Sequence, residues 1–402
     1  MRARSSLGAV VLSAALLISL SAQAAVASEQ TDCLAPGNWA RVDGATPQLV
    51  APTGLLIAMG QRDVVLLGEQ HDDMDHHRWQ LHTLAALHAQ RPHMVIGFEM
   101  FPRRAQAVLD RWVAGELGEA EFLSLSEWDE VWSMPAELYL PLFHFARLHR
   151  IPMLALNVDA SVTRGIAERG RAAMDASELE GVGRPAEPAP DYMAFLREVH
   201  GHHAAARDED KLEAESERAF RNFVDSQLNW DRAMAEALLD GRRRHAAPDG
   251  SLPLAVGILG SGHVRFGYGV AHQLRDLGEY SIGQLLPVPA GVPCASLPSG
   301  LADAVFAVDS ERTAPPPPPR LGVWLEEVEG GVRLREVRSG SLAERSGLKA
   351  ADVVLEVAGR PARTSRQLVT AVREQPSGTW LPLVVQRDGR RIDVVIRFPP
   401  EG

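Results

Sequence analysis

The chain reads as an α/β protein: a mostly parallel sheet flanked by helices, with a helical insert, followed by a small α+β domain. Three observations predict this. Short apolar, β-branched runs alternate with helical patterns from residue 63 to 285. Each run stops abruptly at small or polar residues, as strands do at the mouth of an open α/β sheet. A Pro-, Ala- and Gly-rich stretch ending in Pro315–Pro319 then precedes a last block whose strands meet at tight turns.

Taken in order, the N-terminus comes first. Arg2 and Arg4 precede the apolar run Leu7–Leu20, and Ala25-Val26-Ala27 offers a small-x-small cleavage pattern. Residues 1–27 therefore read as a signal peptide, the apolar run being shorter than the ~20 residues of a membrane span. This predicts a periplasmic or secreted protein, with envelope association left open. Gln30-Thr31-Asp32 ahead of Cys33 lacks the residues a lipobox needs. Cys33 and Cys294 are able to pair in an oxidising compartment or to stay apart, and the spacing decides neither.

The α/β domain is expected over residues 34–290. Residues 34–62 look irregular, punctuated by Pro36, Pro47 and Pro52. Strands are expected at 63–69, 94–100, 151–158, 254–259 and 281–285. Helices are expected at 74–89, 103–114, 119–125, from Pro135 to His149, and 267–277. The insert is a long helical region, 192–239, broken near Gly201-His202-His203. Residues 291–319 read as a linker. The last domain, 320–400, shows strands near 321–325, 331–337, 380–386 and 391–398, with a helix at 364–374 capped by Thr364 or Ser365.

A formal charge of −11, falling to −13 once residues 1–27 and their two arginines are removed, argues against a nucleic-acid partner. The chemistry concentrates at four strand ends: Glu69 with His71, Glu99, Asn157 with Asp159, and His263. Parallel strands bring such tips together, and a carboxylate in an apolar strand is costly unless paired. Glu69, His71, Glu99 and His263 would form either a divalent-metal site or a general acid/base group. His76 and His77 lie near the first turn of the next helix, and either is able to swing toward the same mouth. Asp72, Asp73 and Asp75 read as turn and cap residues, and His77, His82 and His88 as packed or solvated helix positions. Gly260-Ser261-Gly262 is no dinucleotide fingerprint, because Arg265 stands where the third glycine belongs.

Leu67-Gly68-Glu69-Gln70-His71, Asp72-Asp73, His76-His77, Gly97-Phe98-Glu99 and Gly260-Ser261-Gly262-His263 together resemble the ChaN-like domain of the haem-binding uptake and Tiki superfamily. The resemblance covers about residues 50–290. It implies a haem- or iron-binding protein of the envelope, assisting haem or iron acquisition. Carried over, Glu69, His71, Glu99 and His263 are the core site, and His71, His76, His263, Tyr192 and Tyr268 are candidate haem contacts. More distant members resemble metal-dependent hydrolases, which keeps a peptidase or esterase as the alternative. In the last domain, Leu321-Gly322-Val323 and Ser341-Leu342-Ala343 through Asp352-Val353-Val354 resemble a PDZ domain, with Ala351 where glycine is common. That resemblance implies a partner that is a peptide or protein C-terminus, held near Leu321, Gly322 and Val323. A homodimer is left open.

Overall fold

The central strand, β3 (Val64–Glu69), is buried at every residue, and its side chains alternate between two cores. Val65 and Leu67 face one core, Val64 and Leu66 the other. The computed structural model describes residues 34–44, 46–132, 134–204, 213–309 and 319–400. The signal segment and Cys33 fall outside them. The chain divides into two units, residues 1–311 and 312–402.

The first unit is built on an eight-stranded sheet. In chain order its elements are β1 (Trp39–Arg41), β2 (Gln48–Val50), α1 (Pro52–Gly60), β3, α2 (Met74–Gln90), β4 (Met94–Pro102), α3 (Gln106–Ala114), α4 (Glu119–Leu125), α5 (Leu140–His149), β5 (Met153–Asn157), α6 (Ala160–Arg169), α7 (Pro190–Ala204), α8 (Glu213–Arg244), β6 (Leu254–Gly260), α9 (Val270–Asp276), β7 (Ile282–Pro289) and β8 (Ala304–Val308). The strand order is β2-β1-β8-β7-β3-β6-β4-β5. Strands β8 to β5 run parallel, whereas β1 pairs antiparallel with both β2 and β8. Helices cover both faces, as a parallel sheet requires. Residues of α1 to α5 pack on one face, and Met234 and Leu238 of α8 with Leu274 of α9 on the other.

Two expectations fail here. The stretch read as a linker contains β8, whose Ala304-Val305-Phe306-Ala307-Val308 is apolar and mostly buried between β7 and β1. The surrounding prolines and glycines masked that short run. The stretch read as irregular holds β1, β2 and α1. Three-residue strands are too short to show an alternating pattern. In the helical insert, α7 runs through Gly201-His202-His203 and ends at Ala204, next to the expected break. Cys294 is disulfide-bonded.

The second unit is an antiparallel sheet of β9 (Val323–Val328), β10 (Gly331–Val337), β11 (Val353–Val357), β12 (Trp380–Arg387) and β13 (Arg390–Arg397), with α10 (Ser365–Arg373). A capping box of Thr364 and Gln367 opens α10. Strand β9 is an edge, paired only with β10. Gly322, just before it, has φ +77°, and a Cβ there would meet the Ser341 Cβ at 2.6 Å. Ala351 also takes a left-handed φ, +70°, which explains why glycine suits that turn.

Candidate functional site

Register brings the strand tips level. Glu69 is opposite Gly260 across β3 and β6, and Phe98 is opposite Ile258 across β4 and β6. Glu99 comes one residue after Phe98, the last β4 residue paired with β6, and His263 sits one short turn beyond β6.

The tip of β3 forms the first cluster. The Glu69 side chain is fully buried. Its Oε1 accepts from His71 Nδ1 at 2.8 Å and from the Tyr139 hydroxyl at 2.9 Å. Its Oε2 lies 3.0 Å from His77 Nδ1. His77 Nε2 donates to the His71 carbonyl at 3.2 Å, which fixes the loop after the strand. Burial pushes the Glu69 carboxyl up, but its bonds to His71 and His77 outweigh this and hold it at about 2. His71 and His77 are both lowered by burial and raised more by Glu69, so both end above the ordinary imidazole value. Burial and the Glu69 charge push the Tyr139 hydroxyl far up, so it stays a donor.

The tip of β6 forms the second cluster. His263 is buried, and its Nδ1 is 2.7 Å from Asp231 Oδ1 on α8. Asp231 Oδ2 accepts from the Tyr192 hydroxyl of α7 at 2.7 Å. His263 Nε2 faces Glu99 Oε1 at 3.7 Å. Burial lowers the His263 ring, but the charges of Glu99 and Asp231 raise it to about 9. Glu99 Oε2 accepts from the Gly260 N–H at 2.6 Å, while its buried Oε1 has no hydrogen-bond partner.

His71 joins the two clusters. A Cβ on Gly260 would meet the His71 ring at 2.9 Å and the Glu99 carboxylate at 3.5 Å, so only glycine leaves room for that ring. The His71 side chain is 32% exposed, and its Nε2 makes no hydrogen bond among the described residues. Trp132 packs edge-on to His71 at 4.8 Å, and Trp230 to His263 at 5.0 Å.

Glu69, His71, Glu99 and His263 are thus brought together. Other candidates are placed differently. Asp73 caps α2, as a turn residue should. His76 is buried, its Nδ1 accepting from the Gln70 N–H at 2.8 Å, so it staples the loop. Tyr192 is buried with its hydroxyl committed to Asp231. Asn157 donates to the Glu99 carbonyl at 3.0 Å, whereas Asp159 caps α6 and pairs with Arg104. Tyr268 keeps a partly exposed ring stacked on Phe266. Two members escaped the sequence reading: Tyr139 and Asp231. His77, read both as able to swing toward the mouth and as a packed helix position, joins the cluster through Glu69. Tyr139 precedes α5, and Asp231 sits inside a charged amphipathic helix, so neither follows a strand.

The divalent-metal alternative finds no support. Among the described residues no group of three or more His, Cys, Asp or Glu side chains is arranged to hold an ion. The reason is visible in the pairing: both imidazoles of the first cluster are turned onto Glu69, and His263 Nδ1 onto Asp231.

A family model described as haem-binding uptake, Tiki superfamily, ChaN matches residues 55–274, more than half of the chain. The chain belongs to this family. A PDZ model matches residues 319–397. The solved structure of ChaN from Campylobacter jejuni, described by its cofacial haem binding, is 17% identical. That match covers 67% of this chain and 96% of that one, with a TM-score of 0.52, a likeness of fold. The serine protease Do-like HtrA of Bacillus subtilis (strain 168) is 30% identical over 79 residues, which are 19% of this chain and 18% of that protein. This ChaN-family chain therefore spans less than a fifth of the curated relative it matches. The HtrA3 PDZ domain bound to a phage-derived ligand is 25% identical, covering 19% of this chain and 82% of that one, with a TM-score of 0.18.

Proposed function

We propose that this protein is an exported haem-binding protein that assists haem or iron acquisition, with the PDZ unit taking a peptide or protein C-terminus. One observation carries the haem reading: His71 has Nδ1 held by a buried carboxylate and Nε2 uncommitted at a partly exposed mouth. A carboxylate behind an imidazole fixes its tautomer and orientation, and raises its basicity as a ligand. Of the five candidate haem contacts, His76, His263 and Tyr192 are buried and tied to other groups. His71 and Tyr268 are the two left part-exposed. The donor set fits a haem: His71 would hold the iron, and Trp132 and Tyr268 would offer apolar surface. When bound, the haem would supply an iron centre able to accept an imidazole nitrogen.

The export reading is supported by Arg2, Arg4 and the apolar run that follows them. Among the described residues no helix is long and apolar enough to cross a membrane. For the PDZ unit, the open edge of β9 would add the peptide as a strand, with backbone near Leu321, Gly322 and Val323 receiving its carboxylate.

Titrating hemin into purified protein lacking residues 1–27 tests the haem reading. A shifted, saturable Soret band is expected, and His71→Ala should weaken binding by more than about tenfold. A spectrum identical to free hemin would end the proposal. If Tyr268→Phe weakens binding and His71→Ala does not, the ligand is Tyr268.

A further inference from the structure

Arg265 is a half-buried arginine that forms no ion pair among the described residues. Its Nε is closed off from solvent and has no hydrogen-bond partner. Comparable arginines in this unit find acceptors: Arg91, Arg147 and Arg171 donate to backbone carbonyls. Arg232 holds Glu236 and Asp276, and Arg242 holds Asp63 and Glu279. A guanidinium N–H that loses water and gains no acceptor is costly, so an acceptor on a ligand would be favoured at Arg265.

What surrounds Arg265 narrows the acceptor. Its Cζ lies 5.5 Å from the Phe195 ring centroid. Phe195 stacks with Tyr192 at 6.3 Å, Tyr192 meets Tyr268 at 5.7 Å, and Tyr268 stacks with Phe266 at 5.1 Å. Phe266 holds its place with φ +57°, a conformation a bulky side chain adopts only under constraint. Its N–H donates to the Leu301 carbonyl at 2.8 Å. Phe195, Phe266 and Tyr268 are all part-exposed, forming an aromatic shelf with the Arg265 guanidinium over the Phe195 ring. The shelf touches the strand-tip site, because Tyr192 bonds Asp231 and Asp231 bonds His263.

We infer that Arg265 reads a carboxylate on the edge of a flat apolar ligand lying on this shelf. The inference rests on the haem reading and deepens it: a haem carries two propionates, and a guanidinium matches a carboxylate in two-pronged geometry. Arg265 would then select a free-acid porphyrin over its ester.

The test is a Soret titration of the purified protein with hemin and with detergent-dispersed hemin dimethyl ester, for the parent, Arg265→Lys and Arg265→Gln. The parent should prefer hemin by about tenfold or more. Arg265→Gln should lose about that factor for hemin, keep its affinity for the ester, and melt no lower than the parent without ligand. Arg265→Lys should fall between. An Arg265→Gln protein that keeps the full preference overturns the inference while leaving the haem reading intact. So does one that weakens both ligands equally with a lowered melting temperature, since that marks a structural role. A parent protein that shifts the Soret band with neither ligand overturns the haem reading and this inference together.

Discussion

The tips of β3 and β6 solve the same problem in opposite ways. Each buries a carboxylate beside an imidazole. At β3 one carboxylate, Glu69, takes hydrogen bonds from His71 and Tyr139 on Oε1 and faces His77 with Oε2, and one of those rings reaches the surface. At β6 one imidazole, His263, is shared by Asp231 and Glu99, and it stays inside. In the first cluster the anion is the hub and one histidine, His71, is part-exposed. In the second the cation is the hub; in each cluster one carboxylate oxygen, Glu69 Oε2 or Glu99 Oε1, has no hydrogen-bond partner. Chemistry alone does not distinguish them; the number of partners around each hub does.

Removing the first hub should have the largest effect. Glu69→Gln leaves His71 and His77 in a buried place without the charge that raises them. Breaking a buried pair by removing one partner costs about 3–5 kcal/mol. Urea unfolding of the mature protein measures this, and a loss under about 1 kcal/mol would show that Glu69 is not the hub. Next comes Tyr192→Phe, which removes the hydrogen bond to buried Asp231. A hydrogen bond to a charged group is worth about 1.5–3 kcal/mol. The same unfolding assay applies, and no measurable change would mean that Asp231 depends on His263 alone.

How much of this was legible depended on where a residue stands. Glu69, Glu99 and His263 follow apolar strand runs, where a carboxylate or imidazole has no packing reason to be, so the sequence exposes them. Tyr139 and Asp231 lie beside or inside helices with ordinary amphipathic patterns, and only the tertiary fold turns them onto the site. The parallel core was readable because each strand is a continuous apolar run. The antiparallel border was not, since β1 and β2 have three residues each and β8 lies among prolines. The PDZ unit was readable through its turn chemistry, Gly322 and the loop at Ala351, where backbone conformation restricts the residue directly.

The pH dependence of stability separates the hubs. Glu69 is depressed from 4.5 to about 2, so its contribution is present above pH 4.5 and is lost as pH falls toward 2. His263 is raised from 6.5 to about 9, so its contribution is complete below pH 6.5 and is lost as pH rises through 9. His71 and His77 are raised too and add to the alkaline side. Melting temperatures should therefore be highest between about pH 4.5 and 6.5. Glu69→Gln should flatten the acid limb. Asp231→Asn should trim the alkaline limb and leave the acid one. A profile with no acid limb in the parent protein would contradict the lowering of Glu69 by His71 and His77.

Glu99→Gln should have the smallest effect on stability, for a reason that sharpens the contrast. Glutamine keeps an acceptor for the Gly260 N–H, which is the one hydrogen bond its side chain makes. It removes a charge whose other oxygen has no partner and whose imidazole neighbour stands at 3.7 Å, too far for a hydrogen bond. His263 would still have Asp231 at 2.7 Å. The loss should stay within about 1 kcal/mol, because an unpartnered buried carboxylate is a cost that the substitution relieves while it weakens the attraction to His263. A loss of about 3 kcal/mol or more in the same assay would place Glu99 in the same class as Glu69, with His263 as its real partner. A carboxylate kept buried at little benefit to the fold is what a binding or reacting group looks like. Glu99→Gln should therefore change hemin affinity by a larger factor than it changes folding.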